Sequence, residues 1–107
     1  MSVYTITDQE DLIKALNGIR NDIVVVDWTE KKDLQRLKHL ADKNKNMVFM
    51  NVNVAEFPQL ASKYLTDGNS TLPVTFFYRD GIDLGHVRGS PTLIESRIEA
   101  LSQLIVA

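Results

Sequence analysis

The chain contains no cysteine among its 107 residues. Disulfide exchange needs a thiolate as its attacking group, so thiol redox chemistry and a disulfide scaffold are both excluded. An excess of one charge is also missing. Twelve basic and fourteen acidic side chains leave a net charge of −2, without the basic stripe that nucleic-acid binding by counterion release requires. The densest basic stretch is Lys31, Lys32, Arg36, Lys38, Lys43 and Lys45, interrupted by Asp33 and Asp42. It reads as the solvated face of a helix, so no nucleic-acid partner is expected. No run approaches the roughly 18 continuous apolar residues of a membrane span. Residues 1–5 lack the basic and apolar regions of a secretory signal, and a cytoplasmic location without a membrane partner is expected. The two histidines, His39 and His86, fall on different elements with no HxxxH spacing or carboxylate-rich surroundings, so no metal or other cofactor is expected. No dinucleotide-binding glycine pattern, P-loop or G-x-S-x-G elbow occurs. Ser62, Ser90, Ser96 and Ser102 read as helix or cap residues, which leaves no supported nucleophile. Asn69-Ser70-Thr71 matches a glycosylation acceptor but reads as a polar loop in the absence of a signal.

What is present is an ordinary globular composition, 44% apolar and 24% charged, sized for one domain over residues 1–107. Residues 3–6 form a short β-prone run. Thr7 with Glu10 reads as a capping box opening a helix whose apolar stripe is Leu12, Ile13, Leu16 and Ile19, with Gly18 as its stop. Ile23 to Val26 are four consecutive branched apolar residues, the mark of a central strand buried on both faces. A second helix from about Asp33 carries Leu34, Leu37, Leu40 and Ala41. Residues 47–54 alternate, with Val48, Met50, Val52 and Val54 on one side and Phe49, Asn51 and Asn53 on the other. Pro58 suits the first turn of a short helix through Tyr64. Residues 74–78 are β-branched or aromatic, Asp80-Gly81 is a hairpin turn, and residues 82–87 return as its partner strand. Ser90-Pro91 caps a last helix expected to point Leu93, Ile94, Ile98, Leu101, Leu104 and Ile105 inward. The crossovers require parallel pairing and the hairpin requires an antiparallel pair. The expected class is therefore α/β: a mixed sheet of about five strands, βαβαβα followed by a β-hairpin and a C-terminal helix, flanked by helices on both faces.

Five strings in that order resemble the thioredoxin family. Val24-Val25-Val26-Asp27-Trp28 is similar to the strand that carries a buried aspartate and leads into the thioredoxin active site. Residues 49–56 resemble the inner-strand motif, with Asn53 and Ala55 where aspartates are common. Residues 58–64 resemble the third helix, residues 72–81 the stretch that begins with the family's cis-proline, and residues 86–90 the strand end before the last helix. The resemblance implies a thioredoxin-like fold over nearly the whole chain, and a cis peptide before Pro73. Two departures stand out. Where the family has Trp-Cys-Gly-Pro-Cys, this chain reads Trp28-Thr29-Glu30-Lys31-Lys32-Asp33-Leu34, a connection shorter by more than a helical turn. Between Tyr64 and Pro73 the loop is longer than usual.

Fold does not give function, so the expectation rests on surfaces. The resemblance implies a peptide groove of Trp28, Thr29, Leu72, Pro73, Gly89 and Ser90, where a partner strand could pair with backbone beside the proline. Trp28, the only tryptophan, is either an exposed anchor for a partner or part of the core. Asp27 is expected to be a buried structural acid, its pKa raised by desolvation, which costs stability and is relieved by an Asp27→Asn change. The expected role is a redox-inactive, non-enzymatic module that binds another protein or an extended peptide segment, as scaffold, adaptor or chaperone-like subunit. Two alternatives stay open. One is a non-thiol ligand binder or enzyme, with Thr29, Ser90 and nearby amides holding a glutathione-type anion. The other is a self-associating domain, a homo-oligomer.

Overall fold

A computed structural model describes residues 3–65 and 71–106, with side chains described through residue 103. The elements run β1 (Val3–Thr5), α1 (Gln9–Gly18), β2 (Ile23–Thr29), α2 (Gln35–Lys43), β3 (Val48–Asn53), α3 (Pro58–Tyr64), β4 (Val74–Arg79), β5 (Ile82–Arg88) and α4 (Pro91–Val106). They form one five-stranded sheet in the order β1-β3-β2-β4-β5. β3 is parallel to β1 and β2, while β4 is antiparallel to β2 and β5. This is the mixed architecture that the element order dictates.

The apolar run at the start of β2 places that strand in the centre, where all seven of its residues are buried. Because side chains alternate across a sheet, its residues divide between two cores. Val24, Val26 and Trp28 pack with Met50, Val52, Phe76 and the apolar faces of α1 and α3. Ile23 and Val25 pack with Phe49, Phe77, and Leu37, Leu40, Ile94 and Ile98 from α2 and α4.

Local chemistry explains where the elements start and stop. The cap of α1 lies one residue later than the Thr7/Glu10 reading: Asp8 accepts from the Glu10 N–H at 2.9 Å, and Asp11 Oδ2 accepts from the N–H of Asp8 at 3.2 Å. The Thr7 hydroxyl also donates to Asp11. A carboxylate is the stronger acceptor for orphan helix N–H groups, so the Asp-x-x-Asp pair wins over Thr-x-x-Glu. In the β4–β5 hairpin, Asp80 and Gly81 have φ of 53° and 80°, the twist that a two-residue turn needs. Asp80 Oδ1 accepts from the Asn21 N–H at 2.9 Å and ties this turn to the start of β2. A register shift bulges β5 opposite Phe76 and Tyr78, where Gly85 has φ 108°. The Leu72–Pro73 peptide is cis. Leu93, expected inward, is instead 51% exposed, while Ile94, Ile98 and Leu101 carry the packing of α4. Leu104 and Ile105, the Asn69-Ser70 part of the acceptor motif, and most of the lengthened loop after Tyr64 lie outside the described residues or side chains.

Candidate functional site

The second half of β2 turns polar on the face that begins with Ile23 and Val25. In register across three strands, Asp27 lies beside Asn51 of β3 and Thr75 of β4. All three are fully buried, a row of polar side chains inside an otherwise apolar layer. Buried polar groups must find partners or forfeit several kcal/mol, and here each finds one.

The Thr75 hydroxyl donates to Asp27 Oδ1 at 2.8 Å. Arg36, on the first turn of α2, reaches over the row and places Nε 3.1 Å from Asp27 Oδ2. The same guanidinium donates from its second arm to the carbonyl of Gly89 at 2.6 Å. Only 12% of the Arg36 side chain is exposed. The basic stretch was expected to be solvated throughout, and Arg36 departs from that because a buried carboxylate lies within its reach. Burial pushes the Asp27 carboxyl above 3.8; the Arg36 charge and the Thr75 and Arg36 hydrogen bonds pull it back without cancelling the rise.

Asn51 connects this row to the turn that follows β2. Its amide donates to the Asp27 carbonyl at 3.3 Å and to Thr29 Oγ1 at 3.1 Å, and its oxygen accepts from the Asp33 N–H at 3.1 Å. The Thr29 hydroxyl in turn donates to the Lys31 carbonyl, and Asp33 Oδ1 accepts from the Arg36 N–H at 3.2 Å. Residues 30–34 are therefore held by side chains at both ends. Sequence reasoning missed Arg36, Asn51 and Thr75. The pattern held one signal for two of them: a polar residue on the buried side of an inner strand needs a partner on the neighbouring strand.

Of the six residues expected to form a groove, three meet. Thr29, Leu72 and Pro73 line an open cleft of about 630 Å³ together with Glu30, Lys31, Lys32, Asp33 and Arg36. Gly89 adjoins it through its bond to Arg36. Ser90 is exposed at the start of α4, where its carbonyl accepts from the Leu93 N–H at 3.0 Å. Trp28 is completely buried, its ring 6.1 Å from that of Tyr64. It belongs to the core and is no exposed anchor, because alternation turns it to the α1/α3 face. With its hydroxyl committed on both sides, Thr29 serves the turn and does not replace a thiol. Among the described residues, no three His, Cys, Asp or Glu side chains gather where they could hold a metal ion, and no helix is long and apolar enough to cross a membrane.

Solved structures of thioredoxins superpose on most of this chain. Thioredoxin from Schistosoma mansoni matches with a TM-score of 0.78 and 24% identity, covering 92% of this chain and 94% of that one. Thioredoxin from Trypanosoma brucei brucei matches with a TM-score of 0.81 and 18% identity over 95% and 92% of the two chains. A chain from a complex of ferredoxin:thioredoxin reductase and thioredoxin f2 matches with a TM-score of 0.78 and 20% identity over 94% and 96%. At such identities the likeness is one of fold, and the fold is that of thioredoxin. No family model and no curated protein matches the sequence.

Proposed function

We propose that this chain is a redox-inactive, thioredoxin-like recognition module that binds an extended segment of another protein in the cleft between residues 30–33 and Leu72–Pro73. One observation carries the reading: the end of β2 lacks a thiol yet keeps an open cleft whose rim is fixed by buried side chains. Asn51 and Thr29 satisfy their buried polar groups on this turn, which fixes the rim before any ligand arrives. Preorganisation of this kind lowers the ordering cost of binding. That one similar chain comes from a complex of two proteins supports protein recognition on this fold.

Peptides selected from a displayed library against the immobilised chain test the reading. Those enriched should shift the amide resonances of residues 29–33 and 71–74, and Leu72→Asp should weaken them at least about tenfold by placing a charge against an apolar contact. Reduced glutathione is the competing ligand. If it shifts those resonances and no peptide does, the small-anion reading replaces this one.

A further inference from the structure

Leu93 and Arg97 stand one helical turn apart on α4, and each leans on a glycine: Arg97 on Gly85 within β5, Leu93 on Gly89 just past its end. A Cβ at Gly89 would meet Leu93 Cδ1 at 2.9 Å, and one at Gly85 would meet the Arg97 guanidinium at 2.9 Å. Both glycines have positive φ, 128° and 108°, so the strand conformation and the missing side chains together admit this close approach. With Val87, Arg88, Ser96 and Ala100 these two residues line a cleft of about 330 Å³.

The lining itself is basic, and beside it Asp83 Oδ1 accepts from the Gly85 N–H at 2.7 Å. Glu95 accepts from Lys43 Nζ at 2.8 Å and so turns toward α2, and Glu99 stands one helical turn further along the same side of α4. The cleft side carries two guanidiniums and no carboxylate among its lining residues. Arg88 donates from Nε to the Thr71 carbonyl at 3.2 Å. The Arg97 guanidinium has no hydrogen bond or ion pair among the described residues.

We propose that this cleft docks an acidic segment of a partner protein, with an aliphatic side chain against Leu93, Val87 and Ala100 and a carboxylate on the Arg97 guanidinium. A planar guanidinium beside an apolar floor is matched by a carboxylate next to an aliphatic group, because the fork-to-carboxylate geometry gains strength as the apolar contact excludes water. Charge complementarity also sets the choice of partner and speeds the encounter. A second copy of this chain fits poorly. Two-fold pairing of the cleft with itself would bring guanidinium onto guanidinium, and the bulge in β5 disrupts edge-to-edge strand pairing.

The test uses an end-blocked octapeptide of alternating glutamate and leucine, followed by amide resonances of the intact chain. Saturable shifts should appear at Val87, Arg88, Leu93, Arg97 and Ala100. The same peptide with glutamine for glutamate should bind at least about fivefold more weakly, as should Arg97→Gln with the acidic peptide. Leu93→Ser, which keeps both guanidiniums, should weaken binding through the apolar half. Equal binding by the glutamine peptide, unchanged affinity in Arg97→Gln, or no shift at these residues overturns the proposal. So does a response to phosphatidylserine vesicles without one to the peptide. Shifts confined to residues 29–33 overturn it too and leave the other cleft's reading intact.

Discussion

Replacing Arg36 with methionine keeps the length and apolar stem of the side chain but removes the charge that faces Asp27. The carboxylate is then buried with Thr75 as its side-chain donor. Breaking a buried pair from one side commonly costs about 3–5 kcal/mol. A buried carboxyl can escape by binding a proton, and that escape sets a ceiling. Relative to an unfolded value of 3.8, protonation costs about 1.36 kcal/mol per pH unit, hence about 4 kcal/mol at pH 7 and under 2 at pH 5. The direction follows from linkage. The native pKa of Asp27 is raised, so its proton-linked stabilisation is complete below 3.8 and is lost as pH rises through the native value. Arg36 pulls that value down; without it the loss extends further toward neutrality. Arg36→Met should therefore destabilise the domain by about 3 kcal/mol at pH 7, and by less than about 2 kcal/mol at pH 5. Urea melts of both proteins at several pH values measure this directly. A deficit that stays constant across pH, or that is below about 1 kcal/mol at pH 7, would refute the ion-pair account and leave Arg36 with only its bond to Gly89.

The opposite side of the same pair should respond with the opposite sign. Asp27→Asn removes the desolvated charge, keeps an acceptor for Thr75, and leaves Arg36 its bond to the Gly89 carbonyl; the melting temperature should rise modestly at pH 7, and the gain should fade toward pH 4. A clear drop in a thermal scan would show that the two-sided carboxylate contact outweighs its desolvation. Asn51→Leu strips three hydrogen bonds, those with the Asp33 N–H, the Asp27 carbonyl and the Thr29 hydroxyl, so it should cost about 2–3 kcal/mol and speed hydrogen exchange at Asp33 selectively. Uniform exchange changes would separate Asn51 from the turn. Trp28 fluorescence should show a blue-shifted maximum and weak acrylamide quenching, since the ring is fully buried; emission typical of solvated indole would contradict its place in the core.

Where the sequence was sufficient and where it was not follows from the range of the forces involved. The sequence of elements and the mixed character of the sheet were legible because hydrophobic periodicity and turn residues act locally: Ile23 to Val26 mark a central strand wherever they occur, and Asp80-Gly81 closes a hairpin. The burial of Asp27 was legible for the same reason. Its partner was not. Arg36 lies nine residues on, in a stretch whose composition is that of a solvated helix face, and only the packing of α2 over β2 brings its guanidinium to the carboxylate. Leu93 shows the converse failure. Its spacing fits the inward stripe of α4, but the stripe is wider than the area that β5 covers, and Gly89 lets the side chain settle against the strand edge. Helical periodicity says which residues share a face and not where the neighbouring layer ends. The same limit governs the cleft. Thr29, Leu72 and Pro73 could be grouped from the resemblance, whereas the fixed turn that makes a rim of residues 30–33 depends on Asn51, a polar residue that looks like an interruption in its own strand. The rim therefore stands or falls with a long-range contact from β3 and not with the local sequence of residues 30–33, and the Asn51→Leu exchange experiment addresses that contact alone.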